Sequence, residues 1–374
     1  MTINPRKIEF FNRESETAEI KNILKSEPHL ITFIYGPINC GKTSLIQKLI
    51  DDLPKDKYAV FYINLRGKSV VKYGDFIRVL FAIEEKELLK KIKNIFTKVL
   101  KHVASTGEKA TYKFTGIPVD KGLLETFFKE KSNEDAFNYL EEYFKNISKH
   151  KTPVLIIDEL QVIGDLEING KAIYKLFNFF IRLTKELHIC HVFALSSDSL
   201  FIEKVYSEAM LQGRARYLFV DDFNSATAKR FLGNYGFSKD EQKIAYDYFG
   251  GKPSDLSNLI LSSENIKNII NDELKDRSSR LSDMLDKLLY VSPGVMIENE
   301  EQRVKRDEII KLLKKFKDND EIADRDLSRA EKIYLIKKNI FFIDPRKGMI
   351  KPQSKIDLLA IREILGELNT EDYK

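Results

Sequence analysis

Apolar residues in the first two hundred positions fall into short dense runs, separated by stretches where they recur every three or four residues. The runs Leu30–Tyr35, Tyr58–Leu65, Val154–Ile157 and His191–Leu195 read as strands, and two are almost unbroken, as strands covered on both faces must be. Helical spacing between them predicts helices over Arg13–Lys25, Lys42–Leu53, Asp75–Phe81, Asn133–Ser148 and Gly170–Glu186. Strands alternating with helices predict a parallel sheet wrapped on both faces, an α/β three-layer core over residues 1–222. A charged helical segment, Glu84–Val103, leads through Ser105-Thr106-Gly107 into an extended piece, Ala110–Val119, and reads as an insertion over about residues 84–131.

Beyond the fourth strand the pattern turns helical. Short helices at Ser225–Tyr235, Lys239–Tyr248 and Pro253–Leu261, broken by Gly236 and Gly250-Gly251, predict a small helical lid over residues 223–276. Residues 277–374 predict a separate module with helices at Arg277–Leu289, Lys305–Phe316 and Leu327–Lys338. A strand at Ile340–Ile343, a Pro345-Arg346-Lys347-Gly348 turn, a second strand at Met349–Ile350 and a closing helix, Ile356–Leu365, complete it. Three helices followed by a β-hairpin give the outline of a winged helix.

Composition narrows the class without naming it. Of 374 residues, 43% are hydrophobic and 32% charged, enough to build a core and too apolar for a disordered chain. The net charge of +5 excludes a wholly cationic polymer binder but leaves room for a local basic patch. Two cysteines, Cys40 and Cys190, cannot build a disulfide framework or a four-cysteine zinc site. Neither a secretory leader nor a membrane-spanning run is visible, which predicts a soluble cytoplasmic protein with no membrane partner.

The chemistry concentrates at Gly36-Pro37-Ile38-Asn39-Cys40-Gly41-Lys42-Thr43, followed by Ser44. This G-x-x-x-x-G-K-[ST] pattern lets backbone N–H groups curl around phosphate oxygens, with the positive end of the following helix behind them. Lys42 is expected to reach the β- and γ-phosphates and the Thr43 hydroxyl to ligate Mg²⁺. The apolar run Val154–Ile157 ends in Asp158-Glu159, where Asp158 would help hold Mg²⁺ and Glu159 would orient an attacking water. After the fourth strand, Ser196, with Ser197 as alternate, is a candidate γ-phosphate sensor, although the same residues also suit an ordinary Ser-rich turn. In Gly213-Arg214-Ala215-Arg216 either Arg214 or Arg216 could neutralise transferring phosphoryl charge, in cis or from a neighbouring subunit of an oligomer, or serve structure alone.

Taken together with Phe10-Phe11-Asn12-Arg13-Glu14, Asn64-Leu65-Arg66, Asp158-Glu159-x-Gln161 and Gly250-Gly251-Lys252-Pro253, these motifs resemble the archaeal ATPase family of the STAND class. That family is related to AAA+ and Orc1/Cdc6 P-loop NTPases. The likeness covers about residues 8–260. It implies ATP or ADP with Mg²⁺ as ligands, Asn12, Arg13 and Pro253 beside the adenine, and Gln161 near the γ-phosphate. AAA+ proteins often keep a sensor arginine where this chain has Gly251-Lys252-Pro253.

A nucleotide-gated ATPase switch is the reading these residues favour. A DNA-acting ATPase is the alternative: between Arg303 and Lys355 there are 16 Lys and Arg against 9 Asp and Glu. Arg325, Arg329 and Lys332 near the third helix, with Arg346 and Lys347 at the wing turn, would then meet duplex DNA. A nucleotide-stabilised scaffold holding a protein partner through Glu84–Lys131 is a third reading.

Overall fold

A computed structural model of the chain describes residues 7–71, 73–81, 113–114, 116–117, 133–164, 172–297 and 300–371. The expected helix Glu84–Val103 and most of the inserted segment, with its proposed partner surface, lie outside them.

The core is a six-stranded sheet. Its strands are β1 (Ile31–Tyr35), β2 (Tyr58–Asn64), β3 (Lys113–Phe114), β4 (Thr152–Asp158), β5 (His191–Ser196) and β6 (Ala215–Phe219), in the order β3-β2-β4-β5-β1-β6 and all parallel. The extended piece of the insertion thus supplies the edge strand β3. Alternate residues of each strand serve opposite faces. Phe33, Tyr35, Phe61, Leu155 and Ala194 meet α3 (Tyr73–Leu80), α4 (Asn133–Ser148) and α5 (Ala172–Ile181) through Phe76, Phe144 and Phe177. Ile34, Val60, Ile156 and Leu195 meet α1 (Glu14–Lys25) and α2 (Lys42–Asp52) through Ile20, Leu45 and Leu49.

Next come α6 (Ser199–Ser207) and the lid helices α7 (Ser225–Gly233), α8 (Lys239–Phe249) and α9 (Pro253–Leu261). Ser238 and Glu241 form a reciprocal capping box at the start of α8, and Pro253 opens α9 where a missing N–H costs nothing.

The expected break at residue 276 is absent. One 25-residue helix, α10 (Ile266–Tyr290), buries Ile266 and Ile270 in the lid and Leu281, Leu285 and Leu288 in the C-terminal domain. A hairpin of β7 (Gly294–Ile297) and β8 (Glu300–Arg303) follows, which the sequence reading did not include. The remaining elements are α11 (Arg306–Lys314), β9 (Ile322–Ala323), α12 (Arg329–Lys337), β10 (Phe341–Asp344), β11 (Met349–Pro352) and α13 (Lys355–Glu371). Strands β9, β10 and β11 form an antiparallel sheet whose β10–β11 turn carries Arg346 and Lys347.

That turn leans on the core. Phe342 is buried in the same apolar cluster as the β1 face and stacks on Phe219, ring centroids 5.9 Å apart. The Tyr35 hydroxyl, at the end of β1, donates to Asp344 Oδ1 at 2.9 Å within the buried interface. Arg346 Nη1 donates to the Tyr217 carbonyl at 2.9 Å, and Lys351 pairs with Asp221 at 2.8 Å. Exposed pairs contribute at most about 1 kcal/mol each, so Phe342 and the buried Tyr35–Asp344 bond dominate the docking.

At the opposite edge of the sheet His191, which opens β5, is 2% exposed and its Nε2 has no hydrogen-bond partner among the described residues. Burial outweighs the nearby backbone groups of Leu24 and Ser26 and pushes its pKa down to about 4. The unfolded chain, with its histidine near the ordinary value of 6.5, therefore takes up a proton first as pH falls. Stability conferred by the neutral ring is present above pH 6.5 and is lost on acidification toward pH 4. Between pH 7 and pH 5 the loss should be about 2 kcal/mol. Urea melts of wild type and His191→Leu at both pH values check this, with the smaller acid-induced loss expected in the variant.

Candidate nucleotide-binding site

The parallel register brings the sequence motifs to one edge. Tyr35 pairs with Ser196 and Phe219, and Asn64 with Asp158, so the loops after β1, β2, β4 and β5 emerge side by side. Ligands of open α/β sheets bind at this carboxyl edge.

The loop from Gly36 to Gly41 joins β1 to α2, and its shape depends on close packing. A Cβ on Gly36 would lie 1.9 Å from the Val220 carbonyl oxygen, so the position admits no side chain. Cys40 is fully buried, its Sγ 3.0 Å from that same carbonyl, as a small space-filler would be. Lys42 is 7% exposed, and its Nζ donates to the carbonyls of Gly36 (3.0 Å) and Pro37 (2.8 Å). Its ammonium therefore sits within the curl of the loop, where phosphate oxygens can replace the carbonyls.

The Thr43 hydroxyl donates to Asp158 Oδ2 at 2.9 Å, and the Tyr62 hydroxyl to the same oxygen at 2.8 Å. An oxygen-only pair beside a phosphate loop suits Mg²⁺, which takes one or two protein oxygens and completes its shell with phosphate and water. Among the described residues no cluster of three or more His, Cys, Asp or Glu competes as a metal site.

Glu159 has φ of 61°, outside the usual range for a residue with a side chain. Asn12, Arg13 and Asn39 share that conformation, and all four residues lie at or beside this site. Three side chains hold the Glu159 carboxylate: Arg66, whose guanidinium grips Oε1, Gln161, and Ser197, whose hydroxyl donates to Oε2 at 3.2 Å. Burial would raise its pKa, but these hydrogen bonds and the Arg66 charge outweigh burial and hold it below the ordinary carboxylate value. Ser196 is buried one step behind, donating to Gln161 Oε1 at 2.8 Å. Of the two serines, Ser197 faces the cleft.

Two clefts flank the loop. One of about 490 Å³ is lined by Lys42, Thr43, Arg66, Glu159 and Ser197. The other, of about 620 Å³, is lined by Phe11, Arg13, Gly41, Phe223, Phe231 and Pro253 and is large enough for a base and ribose. Arg13 is buried there, donating to the Cys40 carbonyl at 2.6 Å and lying 4.8 Å from the Phe223 ring centroid. Asn12 points to Arg230, accepting from its Nη2 at 3.2 Å. Gly251 packs so tightly that a Cβ would lie 1.6 Å from the Phe223 carbonyl oxygen, which accounts for the glycine preceding Lys252-Pro253.

Two residues that sequence reasoning did not assign also reach the loop. Lys252, 3% exposed, donates to the Ile38 carbonyl at 3.0 Å and to Asp222 at 3.1 Å. Gln353, from the C-terminal domain, accepts from the Ile38 N–H at 3.1 Å. Lys252 had a signal, the position usually held by a sensor arginine. Gln353 had none, because its partner is 315 residues away.

Two expectations fail. Arg214 precedes β6, which runs parallel to β1 with Ala215 opposite Ile31, so it lies at the wrong edge of the sheet, about 16 Å of strand from the loop. Its Nη1 donates to the Met210 carbonyl, and Arg216, two residues on and opposite Thr32, is still near the start of the strand, so neither serves the site within one chain. Lys332 is 8% exposed at its side chain, paired with Asp324 (2.8 Å) and Glu203 (3.2 Å), so it cannot present charge to a duplex. Arg346 and Lys347 are exposed although they also touch β6, Arg346 through the Tyr217 carbonyl and Lys347 at 5.7 Å from the Phe219 ring centroid; Arg325 and Arg329 are exposed as well. Of the five residues expected to meet a duplex, Lys332 alone is buried and paired.

Comparison with known proteins agrees with this geometry. Residues 10–259 match the model of an ATPase domain found predominantly in Archaea, and residues 267–365 match the C-terminal domain of MJ1010-like ATP-binding proteins. The chain is 46% identical over 368 residues to the uncharacterized ATP-binding protein MJ1659 of Methanocaldococcus jannaschii, covering 97% of this chain and 99% of that one. It is 44% identical over 366 residues to the uncharacterized ATP-binding protein PYRAB06260 of Pyrococcus abyssi, covering 96% and 99%. The Walker-type ATPase paby2304 of Pyrococcus abyssi superposes with a TM-score of 0.58 over 96% of this chain and 99% of its own, at 14% identity, and so shares the fold. The chain belongs to this archaeal family of ATP-binding ATPase-domain proteins. Among the described residues no helix is long and apolar enough to cross a membrane.

Proposed function

We propose that the chain is a Mg²⁺-dependent ATP hydrolase that works as a nucleotide-gated switch of the STAND type. In this reading Lys42 exchanges its loop carbonyls for β- and γ-phosphate oxygens, and the loop N–H groups together with the N-terminus of α2 hold the rest of the chain of phosphates. Thr43 and Asp158 would hold Mg²⁺, which would supply positive charge to stabilise the phosphates. Glu159 accepts a hydrogen bond from the attacking water and takes its proton, while Gln161 and Ser197 fix the carboxylate's direction, with Ser196 behind them. Arg13, Phe223 and Pro253 hold the base.

The observation that carries the switch is the double grip on Ile38. Its carbonyl is held by Lys252 of the lid and its N–H by Gln353 of the C-terminal domain. Any shift of the loop on phosphate binding must strain or break one of these bonds, which couples nucleotide state to the docking of the C-terminal domain. We read that domain as a winged helix whose wing is turned inward against β6.

Bridging the Asp221–Lys351 contact tests this. Cysteines at both positions joined by a short bismaleimide should leave affinity for one of ADP and ATP within about threefold of wild type, weaken binding of the other, and lower turnover by an order of magnitude or more. Bridged protein that turns over ATP at the unbridged rate would refute the switch.

The Arg66 contact makes a separate prediction. Because Arg66 helps hold Glu159 below the ordinary carboxylate range, Arg66→Ala should raise the Glu159 pKa. The acid limb of the rate profile should then move to higher pH, as a pH series of ATP turnover for both proteins will reveal.

A further inference from the structure

A third cleft, of about 500 Å³, shares Ile38 with the cleft that holds Glu159 and opens between α10, the end of α12 and the start of α13. This volume falls in the range of small-molecule sites. Its floor is apolar, formed by Leu281, Met284 and Ile361, all buried. Its walls carry Arg277, Arg280, Lys287 and Lys338 against one acid, Asp357. The arginines are already paired, Arg277 with Asp357 at 3.0 Å and Arg280 with Asp276 at 2.9 Å. Lys287 and Lys338 are exposed, and among the described residues neither has an ion-pair partner. Lys338 lies 5.6 Å from the Tyr334 ring centroid, over the same opening.

From this we infer that the cleft binds a small amphipathic organic anion, its apolar body on Leu281, Met284 and Ile361 and its acidic group between Lys287 and Lys338, and that this site is linked to the nucleotide site through Ile38. The charge sign follows from the excess of cations on the walls, Arg277, Arg280, Lys287 and Lys338 against Asp357, which gives the cleft a positive field that favours an anion. The link follows from position. Ile38 lines both this cleft and the one holding Glu159, and Gln353, which grips its N–H, lies two residues before α13, the helix that walls the cleft. An occupant that shifts α13 against α10 changes that grip, and by reciprocity nucleotide must change the occupant's affinity by the same factor.

The probe is 8-anilinonaphthalene-1-sulfonate, which combines a sulfonate with an apolar ring system, titrated against the full-length chain. Its uncharged counterpart, N-phenyl-1-naphthylamine, serves as the charge control. The inference expects one sulfonate dye per chain, binding at least tenfold weaker to Lys287→Glu/Lys338→Glu, with little uptake of the uncharged dye. Saturating dye should change ADP affinity threefold or more, and saturating ADP should change dye affinity by the same factor, an effect absent from the double variant. The lysines are exposed, so the variant should keep its wild-type melting temperature and ADP affinity. Dye binding unchanged by the charge reversals, or equal uptake of the uncharged dye, would overturn the anion site. Stoichiometric displacement of dye by ADP in the double variant would place it in the nucleotide cleft instead and overturn the assignment. ADP affinity indifferent to bound dye would overturn the link.

Discussion

Glu159→Gln should bind ATP with affinity within about threefold of wild type and hydrolyse it at least a hundredfold more slowly, as expected when a general base is lost. The amide keeps the size of the side chain but cannot take a proton. The hydrogen bonds from Arg66, Gln161 and Ser197 all run toward carboxylate oxygens, so the glutamate is built in as an anion rather than as a capping group. No part of that cluster touches the loop atoms that would cradle phosphate, which is why binding should survive. Equilibrium binding of a fluorescent ATP analogue, with phosphate release measured in parallel, separates the two effects. Turnover near the wild-type rate would remove Glu159 from the mechanism.

The second large effect is expected at Gly36. Gly36→Ala places a methyl group within 1.9 Å of the Val220 carbonyl oxygen, a backbone atom that cannot yield as a flexible side chain would. Relieving the clash costs on the order of 3 kcal/mol, taken either from overall stability or from the shape of the loop. In both cases nucleotide binding should weaken by two orders of magnitude or more. A thermal melt distinguishes the two routes, since a displaced loop leaves the melting temperature nearly unchanged. Retained affinity would mean that the loop does not need the close approach of β1 to the segment after β6.

How much of this was legible depended on the range of each interaction. The positions of the Gly36–Lys42 turn and of Asp158-Glu159 at the carboxyl ends of strands could be read because each is a run of contiguous residues following an apolar strand. The order of strands could not, and that alone misled the reading of Arg214. The motif suggested a finger for phosphate, but β6 lies beside β1 and parallel to it, so whatever precedes β6 is carried to the far edge. The grip of Arg66 on Glu159 joins residues 93 positions apart, beyond any local pattern. Asn64-Leu65-Arg66 drew notice only through family likeness.

Some signals were present and underweighted. Asn265 caps α10, and Ile266, Ile269, Ile270 and Leu274 recur at helical spacing ahead of Arg277, enough to predict one long helix bridging lid and C-terminal domain. Val295 and Ile297 alternate with exposed neighbours, a strand signature for β7. The basic count of the C-terminal domain misled for a different reason. Composition reports how many charges there are, and the fold decides which face one another: Lys332 neutralises Asp324 and Glu203, and Lys351 neutralises Asp221.

The central claim is that nucleotide state sets the docking of the C-terminal domain on the core. Spin labels at Lys204→Cys on α6 and Lys337→Cys at the end of α12 report it most directly, because both sites are exposed while Cys40 and Cys190 are buried away from the reagent. The account predicts that the distance distribution between the labels differs between Mg²⁺-ADP and a slowly hydrolysed Mg²⁺-ATP analogue, one of the two states keeping the docked distance. Identical distributions in both states, at saturating nucleotide, would contradict it.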